Sequence, residues 1–166
     1  MAHPIHLHGY TFHVLKVAYP SYEPGNGTVS KINPDILYSA DFSSQQWRDS
    51  SWHDDSVPGL NLFDPPLKDT ITIPKQGYVV IRFRADNPGF WFMHCHLEVH
   101  TQLGMGLVLQ VGEPEDLPPV PIGFPLCGLI NGKASHQRSS YSNAIHLHIF
   151  SNQFHLTLPS LNIKYF

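Results

Sequence analysis

Charge is scarce in this sequence. Asp, Glu, Lys and Arg make up 14% of its 166 residues, where about a quarter is usual. The formal net charge is −3, which offers little attraction to nucleic acid or an anionic membrane surface. Cysteine is scarcer still. Cys95 and Cys127 are the only two, too few for a disulfide framework. No stretch approaches the ~18 apolar residues of a transmembrane helix. Met1-Ala2-His3 leads straight into histidine-rich sequence, so no signal peptide is read at this start.

Turn residues and histidine are plentiful. Fifteen prolines and twelve glycines, with 42% hydrophobic residues, suggest short strands and turns around the core of one domain. Twelve residues are histidine. Those at positions 3, 6, 8, 94, 96 and 100 are spaced in a pattern.

The densest stretch runs from His94 to Met105, behind the apolar segment Phe90-Trp91-Phe92-Met93. In a strand, successive side chains point to opposite faces. His94 and His96 then face one way and Cys95 the other. Imidazole, thiolate and thioether together form the ligand set of a blue copper centre. Leu97 to Gln102 reads as a short helix, with His96, His100 and Leu103 at i, i+4 and i+7 and Gly104 ending it. A second motif, His3-Pro4-Ile5-His6-Leu7-His8-Gly9-Tyr10, repeats the parity. His6 and His8 share one face, His3 takes the other, and Gly9 lets the backbone pass close by. A lone H-x-H pair is more often structural. Two pairs, each with an opposite-face ligand, favour a metal site.

The remaining segments read mostly as strands. These are Thr11–Ala18, Ile36–Phe42, Lys68–Pro74, Tyr78–Ala85 and Met105–Val111. Val79, Ile81 and Phe83 alternate with Arg82 and Arg84. Asp86-Asn87-Pro88-Gly89 is a turn. Residues 19–33 and 43–66 read as loops, and the first carries the glycosylation sequon Asn26-Gly27-Thr28. His13 lacks a paired neighbour and reads as an ordinary strand histidine. His53, Asp54 and Asp55 read as a solvated loop rather than a metal or carboxylate site. The division expected is a domain over 1–112, a proline-rich extension over 113–132 packing on it, and an irregular tail over 133–166. Ile145-His146-Leu147-His148 repeats the letters of residues 5–8 without the flanking Pro and Gly, and is assigned to that tail.

The two histidine motifs together resemble the C-terminal domain of the multicopper oxidases, the third cupredoxin or plastocyanin-like domain. The likeness is nearest to animal, especially arthropod-type, laccases. Supporting stretches are Lys68–Pro74, Arg82–Gly89 and Val111–Gly128, and the resemblance covers about residues 3 to 128. It implies an all-β, cupredoxin-like Greek-key β-sandwich with one short helix after the cysteine. It also implies copper: His3, Cys95, His100 and Met105 at type 1 copper, His6 at type 2, and His8, His94 and His96 at the type 3 pair. Tyr10 stands where many relatives have another, non-ligand histidine. Glu98 either tunes a ligand or is a solvated helix residue. Cys127 falls near a family cysteine whose partner lies elsewhere.

The family's trinuclear cluster uses four H-x-H pairs, two of them from an N-terminal cupredoxin domain. Only two are present here, so the sequence reads as a fragment whose missing partner is that domain. The implied reaction is one-electron oxidation of a small phenolic or similar donor, with electrons passing through Cys95 to His94 and His96, and reduction of O2 to water. Secretion is expected from the family. The alternatives are a stand-alone blue copper carrier, which has no use for His6, His8, His94 and His96, and an inactive fragment. A homodimer pooling its histidine pairs is a remoter possibility.

Overall fold

The computed structural model describes residues 1–40, 45–113, 115–119 and 121–122, and the backbone of three strands within 144–164. Cys127 and most of the proline-rich segment, the end of the expected strand at Asp41 and Phe42, and the His146 and His148 side chains lie outside the described residues.

Two five-stranded sheets carry the fold. The first holds β1 (His3–Leu7), β8 (Thr70–Ile73), β10 (Gly89–Cys95), β11 (Gly106–Val111) and β14 (Ile163–Lys164), in the order β14-β11-β10-β1-β8. The second holds β2 (Phe12–Ala18), β7 (Leu67–Lys68), β9 (Tyr78–Arg84), β12 (Ala144–Phe150) and β13 (Gln153–Thr157), in the order β13-β12-β9-β2-β7. Two small ribbons pair β3 (Ser21–Tyr22) with β4 (Val29–Lys31), and β5 (Ile36–Tyr38) with β6 (Gln45–Trp47). The single α-helix among the described residues, α1, spans Glu98–Gln102. The chain crosses between sheets from β1 to β2, β8 to β9 and β9 to β10, giving the cupredoxin-like sandwich expected.

Period-2 alternation builds the core. Ile5, Leu7, Met93, Cys95, Leu107 and Leu109 from one sheet meet Phe12, Val14, Val79, Ile81 and Phe83 from the other. A second cluster lies on the far face of the β2–β9 pair, where the 19–66 excursion covers Leu15, Tyr78 and Val80 with Ile36, Tyr38, Trp47 and Leu60. β9 is therefore buried on both faces over most of its length. A register shift between Val14 and Lys16 bends β2.

Two expectations are revised. Lys68–Pro74 is two strands rather than one: β7 and β8 join different sheets and the chain changes sheet at Asp69. The region expected as an irregular tail contains β12, β13 and β14, with β12 pairing along all of β9 from Tyr78 to Arg84. The physical reason is backbone pairing: β12 satisfies the N–H and C=O groups that an open edge of β9 would otherwise expose.

Candidate metal centre

β1 and β10 are antiparallel neighbours, with Ile5 opposite Cys95 and His6 opposite His94. Their register sets the site. On the core face of β1 lie His3, Ile5 and Leu7, all buried, and on the core face of β10 lie Met93 and Cys95. His6, His8, His94 and His96 take the other face. The His96 N–H donates to Pro4 O at 2.7 Å and the His8 N–H to Phe92 O at 2.9 Å, carrying the pairing past both strand ends.

On the core side, His3, Cys95 and His100 converge, their ligand atoms all within 4.8 Å of one another. His3 Nδ1 and His100 Nδ1 are 3.2 Å apart. Cys95 Sγ lies 3.5 Å from His100 Nδ1 and 3.8 Å from His3 Nδ1. At first-row bond lengths of about 2.0–2.1 Å to nitrogen and about 2.3 Å to sulfur, three trigonal donors would stand about 3.6 Å apart N to N and about 3.8 Å apart N to S. The side chains present therefore fit an ion at their centre. Cys95 is fully buried and His3 is 7% exposed. Burial, then the nearby His100 and the N-terminal amine, lower the His3 pKa and favour the neutral, ligating imidazole. The Cys95 N–H donates to Met105 O at 3.0 Å and the Met105 N–H to His100 O at 2.9 Å, holding Met105 beside the triad. α1 is what returns His100 to the cysteine: its turn starts at Leu97 O, which accepts the His100 N–H at 2.9 Å.

On the opposite face four imidazoles gather. Ring centroids are 5.0 Å apart for His6 and His8, 5.2 Å for His8 and His94, and 5.6 Å for His94 and His96. Two tautomers follow from carbonyl partners, which can only accept. His6 Nδ1–H donates to Asp69 O at 2.9 Å, with Thr70 Oγ1 at 3.0 Å, so Nε2 is the nitrogen free to ligate. His94 Nδ1–H donates to Cys95 O at 2.9 Å. His94 Nε2 lies 3.1 Å from His8 Nε2. The ring of Phe92 stacks on His94 at 4.6 Å and 14°. Burial and the surrounding histidines lower the His8 pKa. His8 and His96 are exposed, so this face is open.

The structure thus brings together the sequence-selected residues in two groups, joined through the Cys95 backbone. Sequence reasoning missed the groups that orient them. The Asp69 carbonyl and Thr70 fix His6, and Thr101 Oγ1 donates to the Cys95 carbonyl. The hydroxyls carry only weak signals, and the carbonyls none. Glu98 accepts from Gln102 Nε2 at 3.2 Å on the exposed helix face. His13 donates from Nδ1 to Pro65 O at 3.2 Å, and His53 Nδ1 lies 3.0 Å from Ser56 Oγ. Asp55 pairs with Arg82.

Fold and site together define a β-sandwich domain carrying a buried cysteine–imidazole set backed by a histidine face. Residues 1–115 match the family described as Multicopper oxidase, and the chain belongs to that family. Membership implies copper binding. The chain is 38% identical over 129 residues to Laccase-7 of Oryza sativa subsp. japonica, covering 75% of this chain and 18% of that one. It is 40% identical over 130 residues to Laccase-11 of Arabidopsis thaliana, covering 76% and 18%. It thus spans less than a fifth of the length of these relatives. A solved structure described as "Crystal Structure of Fet3p, a Multicopper Oxidase that Functions in Iron Import" aligns at 34% identity over 66% of this chain and 17% of that chain, with a TM-score of 0.44.

Proposed function

We propose that this chain is the electron-entry domain of a laccase-like oxidase, contributing one complete copper site and half of another. His3, Cys95 and His100 would hold a type 1 copper, with Met105 as the axial neighbour. His6 would serve a type 2 copper, and His8, His94 and His96 a type 3 pair. Copper bound in these places supplies one-electron chemistry, taking electrons singly from a small phenolic or similar donor and delivering them to O2 to form water.

The observation that carries this reading is covalent continuity. Cys95 belongs to the buried triad, and its two chain neighbours, His94 and His96, belong to the open histidine face. The His94 Nδ1–H to Cys95 O hydrogen bond adds a second link between the groups. Burial of Cys95 excludes water from its sulfur. The open face, with His8 and His96 exposed, suits closure by an N-terminal cupredoxin domain that brings the remaining histidine pairs. A stand-alone electron carrier would have no use for that face. The reading extends to a secreted parent protein of laccase type.

The test is to produce the chain with copper and record its visible spectrum, copper content and oxygen uptake. The expected result is an intense thiolate-to-copper band without oxygen consumption on a phenolic donor. A folded, copper-loaded chain lacking that band would overturn the triad assignment, and water-forming turnover by the monomer would overturn the half-cluster assignment.

A further inference from the structure

The sequon in the β3–β4 ribbon takes no part in the chemistry above. Asn26-Gly27-Thr28 is the one Asn-x-Ser/Thr triplet in the chain, with x not proline. Residues 23–28 form the tip of the ribbon and are all exposed. The Glu23 N–H donates to Thr28 O at 2.7 Å, closing the tip. The Thr28 N–H donates to Asn26 Oδ1 at 2.8 Å, which fixes the amide oxygen of this exposed residue. No described hydrogen bond uses its Nδ2. Gly25 and Gly27, at φ +85° and +67°, flank it, and a Cβ added at either would have nothing within 4 Å. Space is therefore open on both sides of the asparagine.

We propose that Asn26 carries an N-linked glycan. The reaction is group transfer from a lipid-linked oligosaccharide pyrophosphate. The bond from Asn26 Nδ2 to the anomeric carbon of N-acetylglucosamine forms, the bond from that carbon to the pyrophosphate oxygen breaks, and Nδ2 loses a proton as the lipid pyrophosphate departs. The position tolerates the sugar because it disturbs no packed side chain and no ladder hydrogen bond. Beside it lies a shallow cleft of about 330 Å³ lined by Ala2, Tyr19, Tyr22, Gly27, Thr72 and Lys75. Tyr19 is 62% exposed there, and its aromatic face suits the apolar face of a pyranose. The glycan stem would sit over this cleft, on the side where β1 begins. The inference rests on the proposed secretion of the parent protein.

The test uses the whole chain behind a secretory leader in insect cells. Material from medium and cells is treated with peptide N-glycosidase in heavy-oxygen water, and the peptide spanning Asn26 is read by mass spectrometry. The label separates enzymatic release from deamidation at Asn26-Gly27 that preceded the digest, and a mock digest without enzyme reports deamidation during it. Because transfer precedes folding, the cell-associated pool reports even where little is secreted. The expected result is a glycosidase-sensitive mass, heavy oxygen at Asn26, and loss of both in Asn26→Gln and Thr28→Ala. An unmodified Asn26 in chains that have entered the secretory pathway would overturn the proposal. Copper plays no part in this readout, so its outcome is independent of the copper-site assignment.

Discussion

Replacing Gly9 with alanine asks whether close backbone approach at the end of the histidine strand holds the open face together. Gly9 has φ +73°, and an added Cβ would lie 2.1 to 2.5 Å from the six-membered ring of Trp91. The left-handed conformation costs an L-residue about 1–2 kcal/mol. Moving Trp91 disturbs its Nε1–H to Asn87 O hydrogen bond of 2.8 Å and its edge contact with Tyr10, centroids 5.7 Å apart. Overpacking of this kind costs about 1–3 kcal/mol. The sum is a loss of about 2–5 kcal/mol. Gly25→Ala is the control, since Gly25 has φ +85° and open space around it; it should lose only the conformational share, about 1–2 kcal/mol. Urea unfolding of both variants, followed by circular dichroism and tryptophan fluorescence, measures the difference. Equal losses in the two variants would refute the claim that Trp91 packing fixes Gly9.

Thr101→Val removes one of the two donors on the Cys95 carbonyl and should cost about 1 kcal/mol of stability, read from the denaturant midpoint, with the thiolate-to-copper band retained. Met105→Leu should raise the reduction potential of the type 1 copper in redox titration, because an apolar side chain donates no density to the metal; a lowered potential would count against an axial Met105. Thr70→Val should weaken copper binding at the histidine face by less than the ~10–100-fold typical of losing an orienting partner, because Asp69 O still accepts from His6. Competition titration with a chelator measures that change.

The strand period made most of the site legible. Parity alone separates His3 from His6 and His8, and Cys95 from His94 and His96, because a buried core face fixes the register of β1 on β10. His100 needed only a short turn after the cysteine. What stayed hidden was backbone chemistry. Asp69 O and Cys95 O set two imidazole tautomers, yet a carbonyl carries no residue signature. The sheet change at Asp69 was hidden for a related reason: a lone Asp, with no Gly or Pro beside it, is a weak break between Leu67 and Ile73. The burial of Tyr78 and Val80 on the second face of β9 depends on the 19–66 excursion folding back, which local alternation does not report. Residues 145–148 drew notice only as a repeat of the letters of residues 5–8, and the pairing of β12 with β9 is a long-range contact that local sequence does not report.

The electron paramagnetic resonance spectrum of the copper-loaded chain tests the central claim most directly. Copper held by His3, Cys95 and His100 would put unpaired spin on the Cys95 sulfur and narrow the parallel copper hyperfine splitting, alongside an intense visible band that Cys95→Ser would abolish. A wide splitting alone, unchanged in Cys95→Ser, would place the copper on histidines only and contradict the account.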